Sequence, residues 1–61
     1  PVRDKLLALK NAMDRDKRAA EEYRTEAGRT ADPQLRELYS SYAGECASAA
    51  AQKRAMIQRM F

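Results

Sequence analysis

The sequence predicts an all-α fold, an antiparallel two-helix hairpin that dimerises into a four-helix bundle. Three observations carry this expectation. Helix-compatible residues run from about residue 4 to residue 30 with no interior proline, and again from about 33 to 60. A single short break separates the two stretches, at residues 30 to 32. On both sides of that break apolar residues recur in alternating steps of three and four, the spacing of a helix with one buried stripe.

The first helix has Asp4 near its start, where a negative charge complements the helix dipole, and Gly28 as its weak point near the end. It is expected to stop around Gly28 to Ala31. Asp32-Pro33 then reads as an N-cap followed by proline at the first helical position, where the fixed φ suits a helix and the missing N–H has no intrahelical partner to lose. At 1.5 Å rise per residue each helix is roughly 40 Å long. A connection of a few residues obliges the two to lie antiparallel.

Leu6, Leu9, Met13, Asp16, Ala20, Tyr23, Ala27 and Thr30 form a heptad seam on the first helix. On the second the same alternation gives Leu35, Leu38, Tyr42, Glu45, Ala49, Gln52 and Met56. Tyr39, Cys46, Ala50, Ile57 and Met60 widen that stripe on one side. A stripe this broad suits a bundle better than a two-stranded coil. The run from Ala47 to Ala51 serves either helix propensity or the close approach of a neighbouring helix.

A chain of 61 residues holds one domain, spanning 1–61, near the size at which a single core barely offsets the entropy of ordering. Two helices side by side bury one stripe each and leave one flank wet, so a second hairpin is the expected source of further burial. No covalent or metal staple is in prospect. Cys46 is alone, and the absence of histidine removes the usual partners of a zinc site. No stretch approaches the roughly 20 apolar residues of a membrane span, and the first residues lack the apolar run of a secretory signal. A cytoplasmic location is the expectation. The net charge of +3, from 12 basic and 9 acidic residues, is too mild to indicate nucleic acid.

Each seam carries one acid where a large apolar residue belongs, Asp16 on the first helix and Glu45 on the second. With the turn near residues 31 and 32, the position level with residue 16 is about residue 47. Asp16 is then expected to project between Glu45 and Ser48, so that two carboxylates face each other at mid-height. Such a pair must share a proton, meet a buried Arg or Lys, or bind a metal ion, because an unpaired buried charge is costly. The favoured expectation is a structural polar layer in which Asp16 and Glu45 meet Ser48, Tyr42, Gln52 or an arginine and fix register.

The segment Asp16-Lys-Arg-Ala19-Ala-Glu-Glu-Tyr23, with Asp32-Pro33-Gln-Leu35-Arg-Glu-Leu38-Tyr39 and Tyr42-Ala43-Gly-Glu45-Cys-Ala-Ser48-Ala49, resembles the helical hairpin of rubrerythrins and other ferritin-like proteins over about residues 12 to 50. In that family a glutamate stands seven residues before the tyrosine, where this chain has Asp16. A Glu-x-x-His motif lies on the next helix, where this chain has Glu45-x-x-Ser48. The resemblance implies two hairpins forming a four-helix bundle around two iron ions. It makes Asp16 and Glu45 the candidate metal ligands of an alternative function, iron binding or oxidation at a dimer interface. An all-oxygen site of this kind favours hard divalent ions.

Other features read as structural. Asp14, Arg18 and Glu22, and Lys17 with Glu21, form four-residue charge ladders on a solvated face. Arg3, Lys5 and Lys10 meet Lys53, Arg54 and Arg59 at the open end of the hairpin. No aromatic residues interleave these cations, which argues against nucleic acid. Tyr23, Tyr39 and Tyr42 are core-edge residues, and Cys46 is a small apolar one with nothing to activate it, so nucleophilic catalysis has no support. Met56, Ile57, Met60 and Phe61 are expected to pack on Val2 and Leu6. The functional expectation is a non-enzymatic, homodimeric assembly or adaptor module without a cofactor, which can also contact a larger protein partner. Its interaction residues are Leu9, Met13, Tyr23, Leu38, Tyr42, Ala49 and Met56.

Overall fold

A computed structural model describes residues 1–61 as two long helices packed side by side, with no strand. Helix α1 spans Val2–Arg29 and helix α2 spans Pro33–Arg59. The hairpin is 47 Å long and 14 × 10 Å across. The expected boundaries hold to within two residues. Helix α1 begins earlier than residue 4 because Pro1 serves as its N-cap residue, with the Lys5 amide donating to the Pro1 carbonyl at 3.3 Å.

The turn is built by side chains. Asp32 caps α2: its Oδ1 accepts from the backbone N–H of Gln34 at 2.9 Å and of Leu35 at 3.5 Å, satisfying donors that the first helical turn leaves free. Asp32 is extended (φ −77°, ψ 116°), as the residue before a proline must be to avoid the ring. Thr30, also extended, ends α1, and its hydroxyl oxygen accepts from the Asp32 amide N–H at 3.2 Å, while the Arg36 side chain donates to the Thr30 carbonyl at 3.0 Å. Gly28 stays inside α1 with an ordinary helical φ, so the helix ends without a left-handed residue.

The seam predicted for α1 is the one that packs: Leu6, Leu9, Met13, Asp16, Tyr23, Ala27 and Thr30 are half-buried and Ala20 is buried. The seam of α2 needs correction. Tyr39, Ala43, Cys46, Ala50, Lys53 and Ile57 face α1, with Ala43 and Ala50 buried, whereas Leu35, Leu38, Tyr42, Glu45, Gln52 and Met56 are exposed. Two parallel heptad lines run along α2, one residue apart. The line turned inward is the one with the smaller side chains, because Ala43 and Ala50 against Ala20 let the two helices close tightly.

Near the turn the seam is aromatic. The Tyr23 ring lies 6.3 Å from Tyr39, stacked at 27°, and 5.3 Å from Tyr42, tilted by 50°, both within the favourable range for aromatic pairs. At the open end the expected packing of the C-terminus on Val2 does not form. Val2 is 67% and Phe61 90% exposed, and of the six residues expected to pack together there only Leu6 and Ile57 are half-buried. Both residues lie where the helices run out, beyond the reach of an opposing turn.

Two substitutions at the turn should act in opposite directions. Asp32→Ala removes the cap of α2 and should lower stability by about 1 kcal/mol. Gly28→Ala meets no atom within 4 Å and requires no change of backbone, so it should raise stability by about 0.5–1 kcal/mol. Urea unfolding followed by circular dichroism measures both, and a destabilising Gly28→Ala would contradict the helical placement of that residue.

Candidate functional site: the polar layer and the uncovered face

Asp16 sits at mid-height on the α1 seam with Ala12 and Ala19 beside it, all half-buried. Its partner across the hairpin is Lys53, with Nζ 2.7 Å from Oδ2, and the two side chains are 27% and 29% exposed. Helical side chains lean toward the N-terminus of their own helix, so in an antiparallel pair a side chain from residue 53 reaches back along α2 as one from residue 16 reaches down α1. The expected facing of Asp16 and Glu45 is thereby corrected. Glu45 lies on the outer heptad line of α2, exposed, in a shallow groove with Ser41, Gly44, Ser48 and Gln52. The inward line brings a cation to Asp16 where the outward line would have brought an acid.

The ion pair is close but not well directed. Oδ2 of Asp16 is shut off from solvent, and the lysine ammonium approaches it at 2.7 Å from a direction unsuited to a hydrogen bond, so the oxygen has an ionic partner and no directed donor. Charge compensation is therefore the main contribution. Within the hairpin no three acidic, cysteine or histidine side chains come close enough together to hold a metal ion. Of the two candidate ligands, Asp16 is engaged by Lys53 and Glu45 faces away from it. Cys46 is half-buried and unpaired on the inward line.

The surface charges pair less than their spacing suggests. Asp14 is taken by Lys10 at 3.1 Å, not by Arg18, and the Lys17–Glu21 and Arg18–Glu22 steps are open, while Glu26 and Arg29 approach to 3.5 Å. Exposed pairs of this kind contribute little, which is why spacing alone does not fix them. The basic cluster expected at the open end is also reduced, since Lys10 and Lys53 are spent on Asp14 and Asp16.

The interaction residues divide in two. Leu9, Met13 and Tyr23 lie on the seam inside the hairpin. Leu38 and Met56 stand outside it at 43% and 49% exposure, in line with the half-buried Ala49, and Tyr42, 40% exposed on the same line, touches Tyr23 with one side of its ring. Leu35 and Met60 extend the same line at both ends. Neither helix is long and apolar enough to cross a membrane.

Compared with family models, with curated proteins and with solved structures, the chain matches none. The likeness to the rubrerythrin hairpin therefore rests on the residues quoted for it.

The ion pair can be tested by a double-mutant cycle. Asp16→Leu alone or Lys53→Met alone strands the partner charge and should cost about 1–3 kcal/mol, less than a fully dry pair because water still reaches both side chains. The combined change should be close to neutral or stabilising. Denaturant midpoints read the cycle, and additive losses would mean that the two side chains do not interact.

Proposed function

We propose that this chain is an assembly module that works as a homodimer, with the outer heptad line of α2 packed against the same line of a second copy to give a four-helix bundle. The observation that supports this most directly is the imbalance of burial. Only Ala20, Ala43 and Ala50 are buried, while five of the eight exposed large apolar residues, Leu35, Leu38, Tyr42, Met56 and Met60, fall on one uncovered line. The hairpin exposes 4835 Å², where a compact 6.9 kDa protein exposes roughly 4,000 Å². The surplus of about 800 Å² equals the share that one partner contributes to an interface of standard size.

The line is also self-complementary. An isologous contact centred on Ala49 pairs residues equidistant from it when the two α2 helices cross antiparallel. Tyr42 then meets Met56 of the second copy and Leu38 meets its Met60, apolar against apolar. Glu45, four residues before Ala49, comes within one residue of level with Gln52 of the second copy, three residues after it, which sets an acceptor near an amide donor at the two polar positions of the line. Polar residues at such positions select register and oligomer order at some cost in stability. The acidic member of this layer is Glu45, and Asp16 with Lys53 forms a second polar layer inside each hairpin.

Sedimentation equilibrium at about 10 µM should give the mass of a dimer, with a melting temperature that rises with protein concentration. Leu38→Glu combined with Met56→Glu should shift the protein to monomer, because it places two charges against the apolar partner line. Leu7→Glu, at an equally exposed residue away from that line, should leave the dimer intact. A wild-type monomer that melts cooperatively and independently of concentration would refute the proposal.

A further inference from the structure

We infer that the opposite face of the hairpin is a docking groove for an acidic amphipathic helix of another protein. The groove runs between the helices and encloses about 370 Å³. Its floor is made of Ala20 from α1 with Ala47, Ala50 and Ala51 from α2, and Met13 closes one end. Lys17 and Arg24 form one rim and Arg54 the other, with Glu21 beside the first two.

The groove and the dimer line lie on different sides of the molecule. At about 100° per residue, Lys17 and Arg24 are turned to one side of Ala20 and Asp16 and Tyr23 to the other. On α2, Ala47, Ala51 and Arg54 are turned to one side of Ala50, and Tyr42, Cys46 and Lys53 to the other. The Asp16–Lys53 and Tyr23–Tyr42 contacts place these second sets together on the dimer side. The groove is thus free in the proposed dimer, and the inference stands independently of that proposal.

Charge selects the occupant. None of Lys17, Arg24 or Arg54 forms an ion pair within the chain, although Asp14, Asp16 and Glu26 have all found cations. A second copy of the same groove would set three cations and one acid against the same set, a net repulsion of like charge, so self-pairing here is disfavoured. A single strand of nucleic acid finds no aromatic residue along the groove to stack a base, which disfavours nucleic acid. A third helix fits: its large apolar side chains fill the space above the four alanines, and its flanking acids reach the rims. Lys17 and Arg24 are two helical turns apart, so one flank of the occupant carries acids at i and i+7, with apolar residues at i+3 and i+4 pointing into the floor. Its other flank offers an acid to Arg54.

The test uses the full chain and a synthetic helical peptide of Leu, Glu and Ala with that pattern, followed by amide resonances and fluorescence anisotropy. The Leu/Glu peptide should shift the amides of Ala20, Ala47, Ala50 and Ala51 and leave Leu38 and Met56 unmoved. Arg24→Glu combined with Arg54→Glu, both at exposed positions, should weaken binding ten-fold or more without changing the dimer mass. Ala51→Leu, which fills the groove with a neutral side chain, should weaken it as well. A peptide with every Glu replaced by Lys should not bind, and neither should one with every Leu replaced by Ser. Absence of any shift at about 1 mM Leu/Glu peptide, well beyond the weak end of specific recognition, would overturn the inference. Equal binding of the Lys peptide would also overturn it. So would tighter binding of a single-stranded oligonucleotide at about 150 mM salt, or loss of the dimer in the double arginine variant, which would assign the groove to a second copy.

Discussion

The burial of Ala20, Ala43 and Ala50, the three residues that the hairpin shuts off from solvent, is the constraint on which the rest of this structure depends. Helices joined by a three-residue turn can pack only one line of each against the other, and α2 offers two lines one residue apart. The alanine line permits the nearer approach and lets the flanking Tyr39, Cys46 and Ile57 close around it. Its cost is that the larger side chains, Leu38, Tyr42 and Met56 among them, remain on the outside. A hairpin built this way has a tight seam and a thin core.

The same choice of line decides the electrostatics. Rotating α2 by one residue would carry Lys53 away from Asp16 and bring the outer line, with Glu45, toward it. Facing carboxylates would then have to share a proton or a cation. With the alanine line inward, Asp16 meets an ammonium at 2.7 Å and Glu45 is left to solvent or to a second copy. Steric fit and charge compensation therefore favour the same rotation of α2. The aromatic group near the turn follows as well, since Tyr39 on the inner line and Tyr42 on the outer one close on Tyr23 from either side.

A two-layer hairpin has two broad faces, and here they differ in chemistry. One is a line of large apolar residues interrupted at its middle by Glu45 and Gln52, the pattern proposed to pair with a copy of itself. The other has an alanine floor between cationic rims, unsuited to self-pairing for reasons of charge. The proposed dimer and the inferred helix dock use these faces separately, so that a bundle core can form while both outer grooves stay open to partners.

Local chemistry made much of this legible in the chain. The unbroken helical stretches, the Asp32-Pro33 start of α2, the tight antiparallel turn and the α1 seam all follow from residues within a few positions of one another, where backbone hydrogen bonding and side-chain spacing act directly. The breadth of the α2 stripe, wider than one neighbouring helix covers, was equally plain in the spacing. Which of two adjacent lines on α2 turns inward was not. Both have heptad spacing, and the larger residues made the outer line look like the core. Their order is decided by how closely two helix backbones can approach, a property of the pair and not of either helix. The partner of Asp16, the exposure of Glu45 and the unclosed charge ladders on α1 are consequences of that rotation or of side-chain choices on the surface. Tertiary packing decided the partner of Asp16 and the exposure of Glu45, because spacing along a helix fixes which residues share a face but not which face meets the neighbour.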